Sequence, residues 1–194
     1  FAKAPTPGRV KTRLAREAGA QEAVRIYRSL GRSTIDALRG GPFRLIVYVD
    51  PPGEDTISAM DAWLGTPGIE YRPQAEGDLG TRMASAFAEC LKDAEAVCIV
   101  GTDIPGISQK TVVAAFDALE TRGVVLGPSQ DGGYYLVAMM EEHPELFAGV
   151  PWSTGSVLDA TLERATRSAL QVALLDTKTD VDTLADVPAE LLAV

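Results

Sequence analysis

The sequence predicts an α/β fold, a three-layer α/β/α sandwich with a mostly parallel sheet, formed by a single domain that spans residues 1–194. Three observations support this prediction. Apolar runs of strand length alternate with amphipathic segments of helical length along the whole chain, which is the order expected of βαβ units. The run Val97–Val100 is continuously apolar and is followed by Gly101, as in a strand buried on both faces of a parallel sheet. No internal repeat, linker or low-complexity tract interrupts the alternation.

The chain is expected to start with a strand and two helices. Phe1 and Ala2 resemble the end of a strand whose beginning lies before residue 1. Two prolines and Gly8 then predict a loop, a helix opens near Thr12, and a second helix covers residues 21–38, where apolar residues recur at helical spacing. The remaining predicted strands are residues 43–49, 69–72, 97–100, 124–126, 134–140 and 170–175, and the remaining predicted helices are residues 54–64, 79–91, 108–119, 157–168 and a short segment that closes the chain.

Composition and charge narrow the class of protein. A chain of 194 residues with 46% hydrophobic and 23% charged residues is globular and long enough for a full core. The net charge of −9 disfavours nucleic acid as a partner. No apolar run approaches the ~18 residues of a membrane span, and no apolar leader is visible. With Cys90 and Cys98 expected as core thiols rather than a disulfide, the sequence predicts a cytoplasmic protein, and its oligomeric state stays open.

The first 16 residues are basic, because they carry five Lys or Arg side chains and no acidic residue. Lysine and arginine on a loop that leads into a helix favour phosphate binding, since the helix dipole and free amides add to the side-chain charges. The loop, which includes Gly8, is therefore expected to bind a small anion, although a solvated basic face would have the same composition. It is not a Walker loop, because the Gly-Lys-Ser/Thr sequence is absent.

Acidic residues follow predicted strands at two places. Asp103 lies just beyond Val97–Val100, and Asp180 and Asp182 follow the last predicted strand. Ligands of such folds bind outside the carboxyl ends of the strands. Because Mg²⁺ and Mn²⁺ take one or two carboxylates together with phosphate and water, these three aspartates are the candidate metal ligands. Each of them could instead serve as a helix cap.

Three irregular stretches are expected at the same edge of the sheet. Gly77, Asp78 and Gly80 form a glycine-rich turn ahead of a predicted helix and are candidate substrate contacts. Asp131 lies in a turn with two following glycines, where an aspartate commonly serves the turn itself. The stretch Pro151-Trp152-Ser153-Thr154 could form an acceptor pocket or lid, or it could simply bury its tryptophan at the base of a loop.

Five motifs together resemble one bacterial family, and they lie at residues 1–14, 101–105, 127–136, 151–154 and 180–183. Through them the chain resembles the radical-SAM/selenodomain-associated transferases, which have the glycosyltransferase type A fold of the nucleotide-diphospho-sugar transferase superfamily. The chain is also similar to the guanylyltransferases that make molybdenum and phospholactate cofactors. The roles that the resemblance implies are a metal carboxylate at Asp103, metal co-ligands at Asp180 and Asp182, and phosphate contacts at Lys3, Lys11 and Arg13.

Two transfer reactions fit these motifs. In glycosyl transfer an acceptor hydroxyl attacks the sugar carbon while a metal stabilises the nucleoside-diphosphate leaving group, and Asp131 would be the base or a ligand of acceptor hydroxyls. In nucleotidyl transfer an acceptor phosphate attacks the α-phosphorus, and Lys11 and Arg13 would stabilise the departing pyrophosphate. We expect transfer from a nucleotide-sugar to a small acceptor, with a guanylyltransferase-like reaction as the alternative. A non-catalytic nucleotide- or sugar-binding module is a second alternative, because Gly101 replaces the first carboxylate of the Asp-x-Asp motif usual in that fold.

Overall fold

Strands and helices alternate along the chain. The computed structural model describes residues 1–65 and 67–192, and within them the chain forms seven β-strands and seven α-helices. The strands are β1 (Ala2–Lys3), β2 (Ile46–Asp50), β3 (Glu70–Pro73), β4 (Val97–Val100), β5 (Val124–Pro128), β6 (Tyr134–Met139) and β7 (Val172–Leu174). The helices are α1 (Thr12–Ala18), α2 (Ala20–Leu38), α3 (Glu54–Leu64), α4 (Leu79–Cys90), α5 (Gln109–Leu119), α6 (Val157–Arg167) and α7 (Ala189–Leu192), and two short 3₁₀ helices cover Pro144–Leu146 and Leu184–Asp186. None of the helices in the described residues is long and apolar enough to cross a membrane.

The chain divides into two compact units. The first comprises the described parts of Phe1–Pro73, Thr102–Gln109 and Thr179–Val194, and the second comprises Gln74–Gly101 and Lys110–Lys178. Strands β1 to β3 form the sheet of the first unit, and strands β4 to β7 form the sheet of the second. The expectation of one domain over residues 1–194 stays a prediction.

The sheet of the first unit is entirely parallel. Its strand order is β1-β2-β3, with Ala2 opposite Val49 and Val47 opposite Tyr71. Parallel neighbours need long crossover connections, which α1 and α2 supply between β1 and β2, and α3 supplies between β2 and β3. The buried residues that join this sheet to α2 and α3 include Val24, Tyr27, Val49, Met60 and Trp63.

A second apolar cluster of the first unit joins α1 to the last part of the chain. Leu14 of α1 has no exposed surface and packs with Ile26 and Leu30 of α2. The same cluster contains Val181, which is 1% exposed. Burial of Val181 thereby fixes the segment that carries Asp182 next to the start of α1.

The second unit contains a mixed sheet with the strand order β4-β6-β5-β7. Strand β6 runs antiparallel to both of its neighbours, whereas β5 and β7 are parallel. For β5 and β6 the physical reason is the short turn that joins them, because a turn of a few residues can join only antiparallel strands. Position 127 of β5 requires glycine, because a Cβ there would lie 2.5 Å from the Tyr135 ring.

The structure confirms the predicted α/β fold class. Strand Val97–Val100 and helix Glu54–Leu64 have the predicted bounds, and the other elements differ by a few residues at their ends. The predicted burial of β4 on both faces is wrong, since its residues are half-buried at the edge of their sheet. Strand β5 is instead buried along its whole length. Cys90 and Cys98 are free thiols, as expected.

Replacing Leu14 by Ala should destabilise the first unit by about 2–5 kcal/mol, because the truncation leaves a cavity in a fully buried position. Urea unfolding of the two proteins in a Trp152→Phe background, in which Trp63 of the same unit is the remaining tryptophan, measures the loss by fluorescence. The matched control is Arg16→Ala on the exposed side of α1, which should change the free energy of unfolding by less than ~0.5 kcal/mol. Equal losses in the two variants would contradict the packing described for α1.

Candidate functional site

The basic loop between β1 and α1 ends in an unusual backbone conformation. Lys11 directly precedes α1 and has φ 46° and ψ 51°, the left-handed region that non-glycine residues rarely adopt. Backbone hydrogen bonds from the Thr6 amide to the Ala4 carbonyl and from the Arg9 amide to the Thr6 carbonyl shape the loop. Val10, which is 4% exposed, anchors it in the core. The loop therefore holds Lys11 in a defined position despite the local strain.

Three segments that are distant in the sequence meet at the Lys11 side chain. Its Nζ lies 2.6 Å from Asp103 Oδ2 and 3.7 Å from Asp182 Oδ1. Arg13, the second residue of α1, donates a 2.7 Å hydrogen bond to the other oxygen of Asp182. The lysine side chain is 4% exposed, whereas the side chains of Asp103 and Asp182 are 39% and 34% exposed. The cation is thus enclosed, and both carboxylates keep surface that faces solvent.

A capping box holds the backbone next to Asp182. Asp186 Oδ2 accepts hydrogen bonds from the Thr183 hydroxyl, the Thr183 amide and the Asp182 amide, at 2.7, 2.8 and 3.2 Å. These bonds, those from Thr183 first, lower the pKa of Asp186 below its usual value. Glu17 of α1 accepts a further bond from the Leu184 amide. The carboxylate that caps this segment is therefore Asp186, which leaves Asp182 to pair with cations.

Tyr27 of α2 holds the end of β1. Its hydroxyl accepts a 2.9 Å hydrogen bond from the Lys3 amide and donates a 3.1 Å bond to the Lys3 carbonyl. Burial raises the pKa of Tyr27 to about 12. Thr34, also on α2, donates to the carbonyl of Thr102, the residue before Asp103. One helix thus supports both the strand that leads into the basic loop and the turn that carries Asp103.

The Asp131 carboxylate serves the turn in which it lies. Its Oδ1 accepts hydrogen bonds from the Ser129 hydroxyl and from the Gly133 amide. Gly132 has φ +85°, and a Cβ there would lie 2.1 Å from the Gly155 carbonyl oxygen. This geometry is that of a tight turn, the simpler of the two interpretations of Asp131, and a role in catalysis stays a prediction.

The glycine-rich turn before α4 caps that helix and leaves room for a neighbouring aromatic ring. Asp78 caps the helix by accepting hydrogen bonds from the amide and the hydroxyl of Thr81, both 2.8 Å, and these bonds lower its pKa. Gly80 allows the Trp152 ring to approach α4, because a Cβ at this position would lie 2.8 Å from the ring. Gly77 has φ +116°, which few other residues adopt. Contacts of these residues with a substrate stay predictions.

Trp152 packs within an aromatic cluster of the second unit. Its ring lies 6.5 Å from the Phe147 ring and, edge on, 6.4 Å from the Tyr134 ring. The indole Nε1 is buried and has no hydrogen-bond acceptor in the described part of the chain. In the same loop, Ser153 has φ +65° and Thr154 donates a 2.6 Å hydrogen bond to the Pro151 carbonyl. The tryptophan is half-buried, with only its indole nitrogen fully enclosed, and an acceptor pocket or lid stays a prediction.

Two of the predicted metal ligands have the oxygen donors that a metal ion shared with phosphate would need. Among the residues that the structure describes, no group of three or more His, Cys, Asp and Glu side chains could hold a metal by itself, so the predicted set of Asp103, Asp180 and Asp182 does not form a closed metal site. Asp103 and Asp182 nevertheless converge on one point, the Lys11 ammonium. Two carboxylates completed by phosphate oxygens and water are a common Mg²⁺ environment.

The fold shows which class of protein this chain resembles. The α/β fold with a parallel sheet is that of nucleotide-diphospho-sugar transferases and nucleotidyltransferases. Residues 34–154 match the family described as "Uncharacterized protein conserved in bacteria (DUF2064)", and the chain belongs to this family. A comparison with curated proteins gave no match.

Three solved structures illustrate the similarity. A protein from Desulfovibrio desulfuricans G20, provisionally described as a nucleotide-diphospho-sugar transferase, is 33% identical, and the match covers 96% of this chain and 81% of that chain with a TM-score of 0.89. The 4-diphosphocytidyl-2C-methyl-D-erythritol synthase of Anaerococcus prevotii DSM 20548 is 11% identical over 81% of this chain and 82% of that chain, with a TM-score of 0.58. Rv0371c of Mycobacterium tuberculosis H37Rv, in complex with manganese, is 18% identical over 85% and 86% of the two chains, with a TM-score of 0.55. The last two similarities show a common fold alone.

Replacing Tyr27 by Phe should destabilise the first unit by about 1–2 kcal/mol at pH 7, because the Lys3 amide loses its acceptor. The difference from wild type should then shrink between pH 10 and about 12. In that window the unfolded tyrosine ionises while the folded one stays protonated, so wild type loses up to ~1.4 kcal/mol per pH unit that the variant does not lose. Urea unfolding at pH 7, 10 and 11 measures both effects, and a difference that does not change with pH would contradict the buried environment of this hydroxyl.

Proposed function

We propose that the protein is a metal-dependent transferase that moves a sugar from a nucleotide-sugar to a small acceptor. Its fold is shared with transferases. The proposal depends most on the cluster of Lys11, Asp103 and Asp182. This cluster combines a cation suited to phosphate with carboxylates of the kind that hard metal ions prefer. The finer family assignment, to the radical-SAM/selenodomain-associated transferases, is part of this proposal.

Asp103 and Asp182 are the proposed holders of Mg²⁺ or Mn²⁺, and Asp180 is the third member of the proposed ligand set. When bound, the metal ion would supply positive charge against the nucleoside-diphosphate leaving group. The manganese complex of Rv0371c, a protein of the same fold, supports this assignment by analogy. The partly exposed carboxylates of Asp103 and Asp182 also suit a ligand that arrives from solvent.

The proposed phosphate contacts come from the basic loop and from α1. Lys11 and Arg13 already pair with carboxylates, so their charges lie where a diphosphate on the same carboxylates and metal would need them. Lys3 and Gly8 of the same loop complete the proposed set. Roles for the second unit are proposed separately. They are a base or hydroxyl ligand at Asp131, substrate contacts at Gly77, Asp78 and Gly80, and acceptor contacts at Trp152, Ser153 and Thr154.

Nucleotidyl transfer is the second candidate function. Two cations near the phosphates suit the departure of pyrophosphate, which carries more charge than the nucleoside diphosphate released in glycosyl transfer. The fold is also shared with a synthase of a diphosphocytidyl compound. In this reaction an acceptor phosphate oxygen forms a bond to the α-phosphorus, and the bond to pyrophosphate breaks. In glycosyl transfer the acceptor oxygen bonds to the sugar carbon, and the bond between that carbon and the diphosphate breaks.

Nucleotide binding should depend on metal and on Asp103. A nucleotide-sugar at about 100 times its Kd, given with Mn²⁺, should stabilise wild type by about 2.7 kcal/mol, which is roughly a 5–10 °C rise in Tm for a chain of this size. The panel covers UDP-, GDP-, ADP- and CDP-sugars, each measured with and without Mn²⁺. Asp103→Asn should lose most of the metal-dependent part of the rise, and the exposed control Asp55→Asn should keep it. A rise that is equal without metal would argue against the proposed enzyme and for a binding module.

The products distinguish the two transfer reactions. Glycosyl transfer should release free nucleoside diphosphate from a nucleotide-sugar in the presence of an acceptor, and Lys11→Met should slow this release at least tenfold because it removes charge from the leaving group's surroundings. The assay measures nucleoside diphosphate from nucleotide-sugars and pyrophosphate from nucleoside triphosphates in parallel. Sustained pyrophosphate release with an acceptor phosphate would replace glycosyl transfer by nucleotidyl transfer.

A further inference from the structure

The Lys11 ammonium lies between the two carboxylates that the proposed function assigns to a metal ion. Its Nζ is 2.6 Å from Asp103 and 3.7 Å from Asp182. We infer that Lys11 is a resident counter-cation, which competes with the divalent metal for these two side chains. The metal is therefore bound tightly only when a diphosphate arrives with it. This inference rests on the proposed function and adds to it the order in which the ligands are bound.

The charges of the cluster support competition. The ion pairs join two cations, Lys11 and Arg13, to two carboxylates, so the four side chains balance one another. Asp186 adds a negative charge whose field reaches Lys11, but its oxygen Oδ2 is engaged by Thr183 and the Asp182 amide. A divalent ion alone would bring two more positive charges next to a lysine, and like charges a few ångströms apart repel strongly even at an effective dielectric constant of about 20.

The exposure of the three side chains supports an exchange of partners. Lys11 is 4% exposed and therefore has little water around its charge, whereas its carboxylate partners are more than one third exposed. The Lys11 amine depends on these carboxylates because a buried cation without a partner is costly. It can leave them only when another anion takes their place, and a diphosphate supplies that anion.

The backbone of Lys11 adds a second, independent observation. Its φ of 46° is rare for a residue with a side chain, and strained conformations of this kind persist where the surrounding structure or function requires them. Here the conformation places the amine on Asp103, which lies 92 residues away in the sequence. A loop built only to carry positive charge would not need to enclose this lysine.

The test measures Mn²⁺ binding in the absence of nucleotide, by the electron paramagnetic resonance signal of free Mn²⁺. Lys11→Met and, as a second variant, Lys11→Gln should bind Mn²⁺ at least tenfold more tightly than wild type. The control Arg16→Met removes one positive charge from an exposed position of α1 and should change the affinity by less than about threefold, since exposed charges are screened. Adding Asp103→Asn to Lys11→Met should abolish the gain, which locates the metal. Circular dichroism confirms that each variant is folded.

Three outcomes are distinguishable. A gain in both Lys11 variants that disappears with Asp103→Asn supports competition. If wild type and the Lys11 variants bind Mn²⁺ equally, and Asp103→Asn weakens binding in each, the inference is overturned while the proposed metal site stands. If no variant binds Mn²⁺ and nucleotide-sugars stabilise wild type without metal, the proposed function fails and the inference fails with it.

Discussion

The contact between the Lys11 ammonium and the Asp103 carboxylate organises the first unit. It joins the loop after β1 to the segment after β4, and Asp182 brings the last part of the chain to the same amine. Such a pair is favourable only when the geometry is good and the remaining oxygens are hydrogen-bonded or hydrated. The partial exposure of both carboxylates meets that condition, and it also keeps them accessible to a ligand.

The packing around this contact explains why it forms. Leu14 and Val181 belong to one buried cluster, so the residues beside them, Arg13 and Asp182, are held within ion-pair distance. Tyr27 supports the other end of the basic loop through Lys3. Because apolar burial supplies most of the free energy of folding, the core sets the positions of these backbones. The polar contacts then select the side-chain arrangement.

In the second unit, several residues whose chemistry makes them candidates for the functional site have clear structural roles. Asp78 caps a helix, Asp131 closes a turn, and Gly80 leaves room for the Trp152 ring. These structural roles are enough to explain why the three residues occur at these positions. Trp152 differs, because its buried Nε1 finds no acceptor within the described residues, and such a group usually has a partner.

The amino-acid sequence by itself determined the α/β class and the bounds of strongly patterned elements such as Glu54–Leu64. It also determined the residue types of the candidate site. These features can be predicted from the sequence because periodicity and turn chemistry act locally. The sequence also contains the capping signal of Thr183 and Asp186, a threonine with an acidic residue three positions later. The tertiary structure alone decided that Lys11 rather than a third carboxylate lies between Asp103 and Asp182, and that β4 is an edge strand. These features depend on which distant segments become neighbours. That choice follows from the summed packing of the core, which no local pattern encodes.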